Sequence, residues 1–206
     1  MVQNSSLLPS RPKLILAAAL ILLSVLIAAL ALTTLKPAQM GSGTALIGGP
    51  FTMMNDKGET VTEKTYAGKY KLLFFGFTNC GDVCPTELQV MAAAFTEMGA
   101  LSDNITPIFV TVDPERDTTK VMAEYVKNFH PRLVGLTGTP EQIAAFAKIY
   151  HIYYQKVPDP KNPADYEMDH SSILYLMGPD GKFIKHFPYT TDAKGLAEAL
   201  KKVLQP

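Results

Sequence analysis

The apolar positions of this chain change period several times, and each change marks an element. Residues 14–35 carry no charge, and Leu14 to Leu32 is apolar apart from Ser24. A helix needs ~20 such residues to cross the hydrocarbon of a bilayer, whereas the apolar region of a cleavable signal runs to ~7–15. The pattern predicts an uncleaved transmembrane anchor over 14–35, with a small-residue cleavage match at Ala29, Leu30 and Ala31 as the alternative. Arg11 and Lys13 precede the span and only Lys36 follows closely. The positive-inside bias therefore puts residues 1–13 in the cytoplasm and the rest beyond the membrane. Residues 36–50 are rich in Gly and small side chains, which reads as a flexible tether, and 51–206 remain for one domain.

Within that domain the short run Lys71–Phe77 is dense in aromatics and fits a strand buried on both faces. Pro85 suits a first helical turn, Leu88, Met91, Phe95 and Met98 follow a helical stripe, and Gly99 can close it. Ile105–Asp113 reads as a second strand, with Asp117 as the cap of a helix reaching about Phe129. Thr139, Pro140 and Gln142 spell a capping box with a first-turn proline, ahead of Ile143, Phe146, Ala147 and Tyr150 on one face. Ser172–Met177 and Lys182–Phe187 flank the turn residues Gly178–Gly181 as a hairpin, and Asp192 opens a last helix with Leu196, Leu200 and Val203 inside. Strand and helix alternate and a hairpin closes the order. The expected class is α/β, a thioredoxin-like fold with an N-terminal transmembrane helix.

Charge narrows the function. The chain carries 19 basic and 19 acidic residues, and without Arg11 and Lys13 the balance is −2, far from the basic footprint of a nucleic-acid binder. It has two cysteines, Cys80 and Cys84, separated by three residues where the first core strand gives way to its helix. The free N–H groups and dipole of a helix start favour thiolate over thiol. Two thiolates select Cu(I), zinc or iron–sulfur chemistry, and a structural zinc site wants four ligands. Two sulfurs and one imidazole suit Cu(I). His130 and His151 sit at helix ends and His186 in a hairpin strand, whereas His170 precedes the strand from Ser172. In a thioredoxin-like order the loop carrying His170 faces the cysteines, so Cys80, Cys84 and His170 form the candidate metal set.

Other readings stay open on the same residues. Cys80 and Cys84 could be the redox-active pair of a thiol–disulfide oxidoreductase, one attacking a partner disulfide and the other resolving the mixed intermediate. A structural disulfide closing so short a loop would add little stability. A peroxidase would need a Pro-x-x-x-Thr-x-x-Cys pattern that Cys80 lacks. Asp82 and Asp169 are candidates for tuning the metal or a partner from behind the ligands. Asp113–Asp117 reads first as turn and cap chemistry, and Met53, Met54 and Met168 as fillers of apolar gaps rather than ligands.

Three segments in order, Gly76–Pro85 with its Cys-x-x-x-Cys, Val112–Asp117 and Asp165–Ser171, resemble the Sco/SenC family of membrane-tethered copper-binding assembly factors. The resemblance covers roughly residue 48 to the C-terminus together with the anchor. It implies that Cys80, Cys84 and His170 bind copper, as Cu(I) and in some states Cu(II). It also implies that the protein helps metallate the copper-bearing subunit of cytochrome c oxidase, or keeps that subunit's cysteines reduced. An upstream copper donor or a thioredoxin-like reductant would be further partners. The implied location is the bacterial inner membrane with the domain in the periplasm, ahead of the mitochondrial inner membrane. The family usually has proline after the first cysteine and often histidine before it, where this chain has Gly81 and Asn79.

Overall fold

The computed structural model describes residues 15–16, 20–26, 46–162 and 165–205. The chain separates into two compact units, 1–44 and 45–206. In the first, residues 15–16 and 20–26 are helical, and most of the anchor expected over 14–35 lies outside the described residues. Among the described residues no helix is long and apolar enough to cross a membrane.

Among the described residues the second unit has nine strands: β1 (Thr52–Asn55), β2 (Thr60–Thr62), β3 (Tyr70–Gly76), β4 (Ile105–Thr111), β5 (Val134–Thr137), β6 (Tyr154–Pro158), β7 (Tyr166–His170), β8 (Ile173–Met177) and β9 (Phe183–Pro188). Seven form one sheet in the order β2-β1-β5-β4-β3-β8-β9, and β6 and β7 pair separately as a two-stranded ribbon. The helices are α1 (Val83–Met98), α2 (Thr119–Val126), α3 (Pro140–Ile149) and α4 (Ala193–Leu204). β3 lies between β4, which runs parallel, and β8, which runs antiparallel. This central place explains its unbroken apolar run, because both faces of the strand are covered. Phe74 stacks on Phe109 on one face, while Phe75 meets Phe146, Tyr150 and Tyr175 on the other. Lys71 is the exception in the run: it is buried, and its Nζ donates to the Gly178 carbonyl at 2.6 Å, tying the start of β3 to the β8–β9 turn.

The mixed α/β, thioredoxin-like expectation stands, as do the capping box at Thr139, the cap at Asp192 and the hairpin. Three expectations change. Thr118, not Asp117, caps α2, which ends at Val126. The second strand stops at Thr111, freeing Val112–Asp117 for a loop. His170 is the last residue of β7 rather than part of a loop. The strands β1, β2, β5, β6 and β7 escape sequence reading because they are three to five residues long, and β6 is largely exposed. Residues 47–49, from the expected tether, lie against the domain, with Gly48 N donating to Ile149 O at 2.8 Å.

Gly76 joins the fold to the chemistry. A Cβ there would lie 2.6 Å from Cys84 Sγ and 2.9 Å from the Phe109 ring, so only glycine lets α1 seat its first turn against the end of β3. Gly76→Ala is expected to cost about 1–3 kcal/mol of unfolding free energy by overpacking. Urea denaturation read by circular dichroism measures it.

Candidate functional site

The loop 77–82 runs from the end of β3 to α1 and carries Cys80, while Cys84 is the second residue of the helix. Both cysteines are free; Cys84 is fully buried and Cys80 half-buried. Asp82 precedes α1 but makes no side-chain cap. That role falls to sulfur: the Cys84 backbone N–H points at Cys80 Sγ at 3.4 Å. A helix start favours negative charge there. The Cys80 pKa is pulled down to about 5, chiefly by the Cys84 thiol donating to it, then by the backbone N–H groups of Cys84 and Asp82 and the nearby His170, against the effect of burial. Cys84 is pushed the other way, first because its proton is held in that bond and second by burial. Cys80 is the thiolate and Cys84 the thiol.

His170 completes the group from the far side. Its Nε2 stands 3.7 Å from Cys84 Sγ, and its ring meets Phe77 edge-on with centroids 5.8 Å apart. Burial lowers its pKa, opposed by the Ser171 backbone and by the charges of Cys80 and Asp169. A lowered pKa favours the neutral ring, which keeps a lone pair for a ligand. Its Nδ1 is buried without a well-formed hydrogen bond to protein. The contacts link Cys80 to Cys84 and Cys84 to His170 in series. Among the described residues no three His, Cys, Asp or Glu side chains are yet gathered tightly enough to enclose an ion. The donor set, two sulfurs and an imidazole, is nonetheless the one a soft monovalent copper ion accepts.

Asp82 and Asp169 are both exposed. Asp169 neighbours His170 on β7, so its side chain faces the opposite side of the ribbon. Met53 and Met168 are buried as expected of gap-fillers, whereas Met54 is exposed on β1. His130 contacts Phe95, and His186 lies on β9 beside Phe183.

The residues that sequence reading misjudged are in the Val112–Asp117 loop. Asp117 is fully buried and accepts three hydrogen bonds: from Thr78 N at 3.0 Å, from Thr78 Oγ1 at 2.5 Å and from Thr111 Oγ1 at 2.6 Å. It holds the cysteine loop two residues before Cys80. Burial pushes its pKa up despite those donors. Asp113, also buried, accepts from the Tyr166 hydroxyl at 2.8 Å and pairs with Arg116. The cysteine loop and the histidine ribbon are thus fastened to one short segment. An Asp-rich run after a strand looks like turn chemistry until the partners, Thr78 and Tyr166, are brought to it from 39 and 53 residues away.

A dithiol at the head of the helix that follows a central strand, with a neutral histidine reaching in, defines a thioredoxin-like dithiol protein with a third donor at its site. The chain belongs to the SCO1/SenC family, whose model matches residues 39–205. The mitochondrial SCO1 homolog 1 of Arabidopsis thaliana is 44% identical over 165 residues, covering 80% of this chain and 49% of that protein. The chain spans about half the length of the curated relatives it matches. A crystal structure of Arabidopsis thaliana ScoI with copper bound aligns with a TM-score of 0.73 at 44% identity, covering 78% of this chain and 99% of that one. BsSco, described as a member of the Sco family of cytochrome c oxidase assembly proteins with a disulfide switch, aligns at 27% identity and a TM-score of 0.60, covering 77% of this chain and 94% of its own.

Two outcomes follow from the site's electrostatics. Alkylation of the native protein by iodoacetamide is expected to modify Cys80 first, with a rate that falls as pH drops through about 5, where the thiolate is protonated; Cys84 reacts at a comparable rate only after denaturation. Peptide mapping by mass spectrometry across pH 4–9 reads both. Asp117→Ala leaves three donors without an acceptor and is expected to cost about 3 kcal/mol in chemical denaturation.

Proposed function

We propose that the domain binds copper through Cys80, Cys84 and His170 and delivers it to the copper-bearing subunit of cytochrome c oxidase. The observation that carries the reading is the approach of His170 Nε2 to within 3.7 Å of Cys84 Sγ, with the Cys80 thiolate beside them. Copper-bound relatives and the assembly role ascribed to the Sco family support the metal and the client. Two thiolates and one neutral imidazole hold Cu(I) as cargo, and Cu(II) is admitted when further ligands join. A half-buried Cys80 at the mouth gives an acceptor's thiolate a place to enter.

The chain is anchored by residues 14–35, with 1–13 in the cytoplasm and the domain in the periplasm. What supports this is the uncharged run and the exposure of every residue from Leu20 to Leu26, a helical stretch apolar all round apart from Ser24. Such a surface is buried in lipid or in a large core. In this reading 36–50 tether the domain 51–206 to the bilayer.

A second reading has its own observation. An accessible low-pKa thiolate next to a buried thiol is the arrangement of a disulfide reductase: Cys80 attacks an acceptor disulfide, and Cys84, once deprotonated, displaces the acceptor thiol while the Cys80–Cys84 bond forms. Reduction of acceptor cysteines and copper delivery use the same two sulfurs. A thioredoxin-like reductant would regenerate the dithiol.

Anaerobic titration of the reduced protein with Cu(I) against a chromophoric chelator separates the two readings. One equivalent is expected to bind tightly, with Cys80→Ala or Cys84→Ala abolishing tight binding and His170→Ala weakening it at least tenfold. Stoichiometric binding undiminished in all three variants rejects the copper site. Rapid reduction of an acceptor disulfide without metal retention selects the reductase.

A further inference from the structure

The ribbon that carries His170 shares no ladder with the seven-stranded sheet. The ladder hydrogen bonds of the main sheet therefore stop short of His170, and the chain rejoins that sheet at Ile173 in β8. Met168 seats the ribbon in the core, and most of the polar contacts that hold its far end converge on one side chain, Arg116. Its Nε donates to Asp113, and its Nη1 donates to the Tyr166 carbonyl at 2.9 Å and to Asp165 Oδ1 at 3.2 Å. Its guanidinium lies 3.9 Å from the centroid of the Tyr166 ring and 5.8 Å from that of Phe77. One planar cation therefore touches the loop that anchors the cysteines, the first turn of chain entering β7 and the ring on which His170 rests. Tyr166 and His170 are four residues apart on one strand and face the same side, so fixing the first fixes the direction of the second.

We propose that Arg116 is a positioning residue for His170: its fork sets the ribbon at the distance from which the imidazole reaches a copper ion held by Cys80 and Cys84. The inference rests on the copper-site reading for its consequence, though not for its geometry. Geometry, not charge alone, performs the task. A guanidinium donates along two edges at once and stacks on an aromatic face, which an ammonium cannot reproduce. Lys156 and Glu115 pair at 2.6 Å between ribbon and loop, but both are substantially exposed, so solvent screens them.

The test uses the full chain and four variants, Arg116→Gln, Arg116→Lys, Tyr166→Phe and His170→Ala, with Arg116→Gln also made in the His170→Ala background. Cu(I) affinity by chelator competition is expected to fall about tenfold or more in Arg116→Gln, which is the scale for groups that orient a metal's ligands. Arg116→Lys is expected to behave like Gln, and Tyr166→Phe, which keeps the ring and the carbonyl that Arg116 uses, to stay within about threefold of wild type. In the His170→Ala background the Arg116 effect is expected to shrink to within about twofold, because a residue acting through histidine has nothing left to position. An undiminished Arg116 loss in that background, no loss in Arg116→Gln, or full retention in Arg116→Lys overturns the proposal. The copper-free chain gives a separate readout: a nuclear Overhauser contact between the Phe77 and His170 rings is expected in wild type and Tyr166→Phe and absent in Arg116→Gln. Failure of wild type to bind Cu(I) would reject the copper site, and the ring contact alone would then decide whether Arg116 holds the ribbon.

Discussion

A buried carboxylate holds this site together. Asp117 has no charged partner in its hydrogen bonds; it is satisfied by one backbone N–H and two threonine hydroxyls, from Thr78 and Thr111. A carboxylate in that position is tolerated only while all three donors stay aimed at it. The requirement runs both ways. The end of β4 and the start of the cysteine loop cannot move apart without stranding the charge, so Cys80 is presented from a rigid base although its own loop is short and partly exposed. The Asp117 carbonyl extends the same network, accepting from Thr137 on β5 at 2.7 Å.

Sulfur chemistry at the site follows from two different environments a few residues apart. Cys80 sits where first-turn N–H groups are unpaired and takes the place of a cap, so its negative charge is stabilised. Cys84, the second residue of the helix and packed against Gly76, holds its proton in the bond to Cys80 and is further held neutral by burial. The same asymmetry serves both proposed chemistries. A copper site needs both protons gone, and the incoming cation supplies the charge that makes the second loss favourable. A reductase needs one ready nucleophile and one reserve thiol.

The histidine arm is held in another manner. The strands β6 and β7 pair only with each other; Met168 seats the ribbon in the core, and its polar ties to the domain are the Tyr166 hydroxyl on Asp113, the Arg116 fork and the Lys156–Glu115 pair. A donor carried on such an arm can come into contact with the sulfurs without forcing the main sheet to change, because no ladder hydrogen bond has to break.

Much of the architecture was legible in the sequence for a plain reason. The central strands and three of the helices owe their form to local signals: an apolar run from Lys71 to Phe77, a capping box at Thr139, a proline in the first turn at Pro85 and an aspartate cap at Asp192. The two cysteines likewise announced a site, since their spacing and their place before a helix are local facts. The short strands β1, β2 and β5 and the two-stranded ribbon carried too little hydrophobic period to be seen. The tertiary structure decided what depends on distant residues meeting. An aspartate before a helix has the local use of a cap, and only the arrival of Thr78 and Thr111 turns Asp117 into a buried acceptor. Arg116 and Tyr166 gain their roles from each other across 50 residues of chain. The approach of His170 to Cys84 across 86 residues is likewise a property of the folded chain, because no local rule relates a strand-end histidine to a thiol on a helix.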